Sequence, residues 1–439
     1  MPINIFWMRR DLRLEDNAAL YHALSSGFPV QIIFIFDTSI LEQLSDSKDA
    51  RVDFIFQEVA NLNDSVKKYG SSIMLKYGNP LEVWESLLKE QQINDVYFNE
   101  DYEPKTRDRD NKIAKLLKSK GINFNSFKDH VVFHKNEICK ADGTPYTVFT
   151  PYFNKWKQRI NEGKINSFPS ESNLNNLSKS KQESPLSLKD LGFEPSNQIF
   201  PDRAYQHRLA EYEKYRDYPA KDATSKIGLH LRFGTLSIRK ALHVAVNENF
   251  DKWLSELAWR DFYSMILWHF PNTENQSFKE KFRFIKWRNN EEDFEKWCSG
   301  NTGYPLVDAG MRQLNATGYM HNRVRMVTAS FLCKHLLIDW KWGEVYFASK
   351  LLDYDLASNV GGWQWAASTG NDAVPYFRIF NPQTQLEKFD PKLDYVKLWI
   401  PEYGTKKYAQ PMVEHTFARN RALNAYVVGA GTIVSSTTS

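Results

Sequence analysis

Ile3-Asn4-Ile5-Phe6-Trp7-Met8-Arg9-Arg10-Asp11-Leu12-Arg13 runs from a short apolar stretch into charge, and Val30-Gln31-Ile32-Ile33-Phe34-Ile35-Phe36-Asp37 follows in the same style. Three further runs continue the series, at Ser72 to Tyr77, Asp95 to Asn99 and, more weakly, Asn123 to Phe127. Between them Arg51 to Tyr69 and Pro80 to Gln91 carry apolar residues at three- and four-residue spacing, and Lys112 to Lys120 reads as the end of another helix. Short β-branched runs alternating with helical patterns predict a parallel sheet covered by helices. The first expectation is therefore an α/β domain with a Rossmann-like sheet over residues 1–135. Its first strand-to-helix crossing lacks GxGxxG, so the dinucleotide fingerprint is missing.

Residues from about 160 to 200 are rich in Ser, Asn, Lys and Pro, as in Ser167-Phe168-Pro169-Ser170-Glu171-Ser172-Asn173, and show no periodicity. They predict an interdomain linker, placed at 136–200. After Pro201 helical spacing dominates, in Tyr205 to Tyr215, Ile238 to Val246, Trp253 to Trp268, Val324 to Leu337 and Trp342 to Leu352. An all-α domain over 201–426 follows, with a small, polar tail at 427–439 expected to be disordered. Ten of the 13 tryptophans lie after residue 250, so the two halves are built differently. At 439 residues the chain suits two domains. No apolar run approaches the roughly 18 residues of a membrane span, and no basic leader precedes Ile3, so a cytoplasmic protein is expected. Cys139, Cys298 and Cys333 stand far apart without ligand spacing, which argues against disulfides and zinc. A net charge of +4 permits nucleic-acid binding without demanding it.

Several stretches carry chemistry. Asp222-Ala223-Thr224-Ser225-Lys226 precedes an apolar helical segment, where hydroxyls and free N–H groups would hold an anion such as pyrophosphate; taken alone, a plain helix cap is the simpler explanation. Leu231-Arg232-Phe233-Gly234-Thr235 repeats the pattern with an arginine. From Asp353 to Trp365 two acids (Asp353, Asp355), an amide (Asn359), the pair Gly361-Gly362 and the tryptophans Trp363 and Trp365 crowd into 13 residues. Glycines admit close backbone approach by a flat ligand, carboxylates accept from an N–H, and an amide does both, which are the needs of an isoalloxazine ring. The competing reading fills a core with the tryptophans and caps helices with the acids. Arg325 offers a cation for one acid, Asn322 and Arg323 reach toward phosphate or base, and Met326 shares a face with Asn322. Glu256 and Trp259 stand one helical turn apart, suited to an extruded base that stacks on the ring and donates to the acid. Spacing does not connect Trp287, Trp340 and Trp363.

These residues resemble the photolyase/cryptochrome family, and most closely its class I cyclobutane pyrimidine dimer photolyases. The resemblance runs to about Tyr426 and rests on Phe6-Trp7-Met8-Arg9-Arg10-Asp11-Leu12-Arg13-Leu14, Tyr215-Arg216-Asp217-Tyr218-Pro219, Asn301-Thr302-Gly303-Tyr304-Pro305-Leu306-Val307-Asp308-Ala309, Met320-His321-Asn322-Arg323-Val324-Arg325-Met326 and the stretch from Gly361 through Asn381-Pro382. It implies an α/β antenna domain, a linker, and a helical domain that holds FAD and acts on UV-damaged DNA as a monomer. By motif, Tyr212, Thr224, Ser225, Lys226 and Ile227 would line the FAD phosphates and ribityl chain, and Asp353, Asp355 and Asn359 the flavin ring, with Arg325 paired to Asp353. Gly228 stands where relatives often have Ser, leaving only a backbone contact. Trp363, Trp340 and Trp287 match the tryptophan chain that feeds electrons to photoexcited flavin. Glu256, Trp259, Asn322, Arg323, Met326 and Trp365 match the lesion pocket, with Trp259 also beside the cofactor. Met326 favours cyclobutane dimers, because 6-4 photolyases tend to have His nearby, and Trp363-Gln364-Trp365 differs from the run usual in DASH proteins. A cryptochrome-like photoreceptor without repair is the rival. An antenna chromophore is also implied, as folate, deazaflavin or a second flavin. In Tyr102-Glu103-Pro104-Lys105-Thr106-Arg107 the residues Lys105 and Thr106 depart from the folate-binding pattern.

Overall fold

A computed structural model describes residues 2–163, 165–179 and 186–431. The chain forms two compact units, each gathered from separated segments. One comprises Met1–Glu137, Trp156–Ala204 and Lys226–Asn249; the other comprises Ile138–Lys155, Tyr205–Ser225 and the chain from Phe250 onward.

The first unit carries five parallel strands, β1 (Ile3–Met8), β2 (Val30–Asp37), β3 (Met74–Gly78), β4 (Ile93–Asn99) and β5 (Asn123–Phe127), in the order β3-β2-β1-β4-β5. The five runs read from the sequence are these strands, and every residue of β2 is buried, as a central parallel strand requires. Ile5, Trp7, Ile33, Ile35, Val96 and Phe98 pack with Trp84 from the helix Pro80–Glu90. Asn17, Asp49 and Asn79 cap three of the covering helices through their side chains. At the carboxyl ends of the strands the Arg9 guanidinium lies 5.0 Å over Trp7 and 4.9 Å over Phe98, and pairs with Asp110 at 2.7 Å.

The segment 226–249, expected in the helical domain, packs instead with the sheet unit. Its buried Arg239 explains why: the guanidinium meets Asp16 at 3.1 Å and Asp129 at 2.8 Å, while Arg13 meets Asp129 at 2.6 Å. Burial alone would raise the Asp129 carboxyl, but the two guanidiniums hold it well below the usual carboxylate range. Gly234, at φ +66°, brings this segment so close that a Cβ there would lie 2.4 Å from the Arg10 carbonyl oxygen.

The stretch 136–200 is not a plain linker. It carries the helix Phe149–Glu162 and 3₁₀ turns at Ser170–Asn176 and Lys189–Leu191. Tyr152, Trp156, Leu174, Leu177, Leu191 and Phe193 are buried. Widely spaced apolar anchors dock this segment without leaving a periodic signal. The last helix, His415–Gly431, extends five residues into the region 427–439 expected to be disordered. Gly429 makes that packing close, since a Cβ there would sit 3.0 Å from the Ile285 Cα. Residues 432–439 lie outside the described residues.

Among the described residues the second unit contains helices and no strand. Its centre is formed by Asp251–His269, Pro305–Thr317, Asn322–Ser330, Trp340–Lys350 and Leu356–Ala366. The predicted helix Val324 to Leu337 begins at Asn322 and loosens after Ser330 into a π turn, Phe331–His335.

Candidate functional site

The helix Leu356–Ala366 starts where Asp355 accepts a hydrogen bond from the Ser358 N–H at 3.1 Å. Asp355, Asn359 and Gly362 follow at spacings of four and three, so they lie along one helix face. Asn359 is oriented from behind, its Nδ2 donating to the Glu344 Oε1 at 2.9 Å and the Glu344 carbonyl at 3.1 Å. Burial pushes the Glu344 carboxyl above its ordinary value. Beside Gly362 a Cβ would meet nothing within 4 Å, whereas at Gly361 it would lie 2.2 Å from the Tyr263 ring. The two glycines thus divide their work. Gly361, expected to admit a ligand, instead admits the helix Asp251–His269, and Gly362 faces open space.

Asp353 precedes this helix and is held as expected: Arg325 Nη2 donates to its two carboxylate oxygens at 3.1 and 2.9 Å. The same guanidinium is steered by Nε, which donates to the Met320 carbonyl at 2.7 Å. Thr224 Oγ1 lies 3.1 Å from the Tyr319 hydroxyl, so it serves there and not as a helix cap. Tyr212 is buried under the Arg216 guanidinium, 5.3 Å from its ring centroid. Thr224, Ser225 and Tyr212 belong to the helical unit; Lys226, at φ +55°, Ile227 and Gly228 fall in the sheet unit.

Glu256 and Trp259 lie half-buried on Asp251–His269. Arg216 Nη1 grips the Glu256 Oε1 at 2.5 Å. Trp259 is stacked on Phe149, with ring centroids 3.6 Å apart and planes 7° from parallel. On Asn322–Ser330, Asn322 Nδ2 lies 3.9 Å from the Met326 sulfur, so the two share a face as the spacing implied. Arg323 points elsewhere: its Nη2 donates to Asp217 at 2.9 Å, and the guanidinium covers Phe389 at 4.3 Å. His321 caps this helix by accepting from the Arg323 N–H at 3.2 Å, and burial lowers its pKa to about 4. Trp365 is half-buried, 6.5 Å from Phe380.

Trp363 and Trp340 are buried in one core, and Trp287 packs against it half-buried. Trp363 is wedged against Gly343, where a Cβ would come within 2.1 Å of its ring. Trp297 meets Trp363 edge-on at 6.0 Å. Sequence reading gave no role to Glu344, Tyr319, Arg216 and Phe149, each of which reaches its partner from another segment. In the sheet unit Glu103 is already engaged, by Arg10 at 3.0 Å and Arg232 at 2.6 Å.

An acid fixed by a guanidinium, an acid and an amide along one face, and open space beside a helical glycine fit a flat heterocycle with both donors and acceptors. The family model described as the FAD binding domain of DNA photolyase matches residues 253–405, and that described as DNA photolyase matches 4–171. A deoxyribodipyrimidine photo-lyase of Halobacterium salinarum is 37% identical, over 91% of this chain and 89% of its own. A class III photolyase from Agrobacterium tumefaciens superposes with a TM-score of 0.85 at 32% identity, covering 98% of both chains. A Synechocystis cryptochrome does so at 0.84 and 26%, covering 97% of this chain and 99% of its own. The match to the FAD binding domain of DNA photolyase makes the chain an FAD-binding flavoprotein. The chain belongs to the DNA photolyase family and is an enzyme of that family. None of its described helices is long and apolar enough to cross a membrane.

Proposed function

We propose that the chain repairs cyclobutane pyrimidine dimers in UV-damaged DNA under blue light, by electron transfer to a dimer flipped out of the duplex. The observation that carries this reading is the Glu256 carboxylate, held by Arg216 at 2.5 Å one helical turn from Trp259. A carboxylate one helical turn from a half-buried indole suits a pyrimidine pair, which offers N–H donors along an edge and a stacking surface. Bound FAD, reduced and excited by light, would supply the electron. The protein's own part is binding, orientation and electrostatics.

Asp353, fixed by Arg325, and Asp355 would accept from ring N–H groups of the cofactor, and Asn359 would present its amide near flavin N5. Tyr212, Thr224 and Ser225, all in the helical unit, would hold phosphate or ribityl groups. Asn322, Met326, Trp259 and Trp365 would line the lesion pocket, and Arg323 would act on DNA only by exchanging Asp217 for a phosphate. Trp287, half-buried, with Trp340 and Trp363 fully buried, would pass electrons inward from the surface. Flipping a dimer costs less than flipping an intact pair, because the lesion already stacks and pairs poorly.

The test is repair of a defined thymine dimer in an oligonucleotide by photoreduced protein, in light and in darkness. Light-dependent recovery of both thymines supports the proposal. Absence of turnover with reduced FAD bound would transfer the protein to the photoreceptor reading, or to a 6-4 substrate.

A further inference from the structure

We propose that Phe149 is a positioning residue of the lesion pocket, fixing the plane of Trp259 so that one face of that ring is ready to stack on the flipped base. The inference rests on the pocket reading above and adds a residue to it. A half-buried tryptophan on a helix surface would otherwise sample several ring orientations, and a base would have to select one.

Phe149 removes that freedom. Its ring overlies Trp259 with centroids 3.6 Å apart and planes 7° from parallel and so takes one face of the indole, while Phe262 meets that indole edge-on at 5.7 Å and Tyr263 lies tilted by 32° at 5.4 Å. Phe149 is buried and firmly held. Its N–H donates to Asp372 Oδ2 at 2.8 Å, Phe153 stacks on it at 5.6 Å and Phe262 meets it edge-on at 5.7 Å. One residue earlier in the same loop, Asn371 Nδ2 donates to the Thr147 carbonyl at 3.0 Å. Asn371 and Asp372 lie six and seven residues beyond Trp365. The loop that follows one aromatic wall of the pocket therefore anchors the residue that orients the other.

The experiment compares Phe149→Leu, Phe149→Tyr and Asp372→Ala with Trp259→Ala in the FAD-loaded full chain. It measures affinity for an oligonucleotide with one thymine dimer, affinity for its undamaged counterpart, and the repair rate at saturating substrate. A stacked aromatic pair is worth about three- to tenfold in an equilibrium constant. Phe149→Leu should weaken dimer affinity by about that factor, raising KM while leaving kcat, FAD content and undamaged-DNA affinity unchanged. Phe149→Tyr, which keeps the ring, should restore affinity, and Asp372→Ala should show a smaller loss of the same kind. A structural role alone would lower all readouts together, and that result overturns the inference. So does unchanged dimer affinity in Phe149→Leu while Trp259→Ala is weakened. Unchanged affinity in Trp259→Ala overturns the pocket reading itself.

Discussion

The neighbouring glycines Gly361 and Gly362 should respond to the same substitution with opposite signs. Both sit inside the helix Leu356–Ala366, where replacing Gly by Ala favours folding by about 1 kcal/mol through backbone entropy. At Gly361 the added methyl would fall 2.2, 2.3 and 2.8 Å from three atoms of the Tyr263 ring. Ordinary carbon contacts need about 3.5–4.0 Å, so helix or ring must give by more than an ångström. Overpacking of that kind costs about 3 kcal/mol, at the upper end of its usual range. Gly361→Ala is therefore destabilising by about 2 kcal/mol net, or about 4–8 °C in Tm for a unit of this size. At Gly362 nothing lies within 4 Å, so flavin-stripped Gly362→Ala should gain about 2–4 °C. The same methyl enters the space beside Asn359 and Asp355, so FAD retention should fall. Melting curves of stripped and loaded protein, with visible absorbance of bound flavin, separate the two effects. A Gly361→Ala protein as stable as wild type, or a Gly362→Ala protein that melts earlier when stripped, would refute the packing argument; undiminished FAD in Gly362→Ala would refute the placement of the ring.

Glu256→Ala and Trp365→Ala should each weaken dimer binding by about tenfold in titrations with damaged oligonucleotide, with FAD still bound; unchanged affinity in both counts against the pocket. His321 titrates at about 4 in the folded protein and near 6.5 unfolded, so between those values the unfolded state binds more protons and stability falls as pH drops. The full loss by pH 4 is about 3 kcal/mol, and His321→Asn, which keeps a cap acceptor, should flatten the denaturation midpoint against pH over that window. Arg239→Met should cost about 3–5 kcal/mol in chemical denaturation, because it strips a buried cation from Asp16 and Asp129.

How much of this was legible in sequence depends on the range of the interactions involved. The sheet was readable because each strand is a contiguous run, and in β1, β2 and β4 the burial is written in the residues themselves. Asp355 to Gly362 was legible as a cluster because its acid, amide and glycines crowd into one short stretch, although the helix face that aligns them was not read from spacing. The pairing of Arg325 with Asp353 crosses 28 residues and was named through resemblance, since nothing in periodicity selects that acid over another. Phe149 on Trp259 and Glu344 behind Asn359 leave no local trace at all. The unit to which 226–249 belongs was not legible on the same ground, because Lys226–Asn249 has ordinary helical spacing and only the buried acids facing Arg239 decide which unit receives it.

Gly361 shows how one sequence feature can serve two physical ends. The Gly pair was taken as room for a flat ligand, and one of its two members gives room to Tyr263 instead. Close approach by a neighbouring helix and close approach by a cofactor make the same demand on sequence, the absence of a Cβ. Gly343 against Trp363 repeats the first use, so both flanks of the helix Leu356–Ala366 are fixed by glycine contacts to aromatic rings. A helix clamped on two sides can hold Asp355 and Asn359 in register toward a ligand on its third side, as a site that binds by orientation requires. On the proposed placement of the ring, Gly361 and Gly343 would be as much a condition of cofactor binding as Gly362.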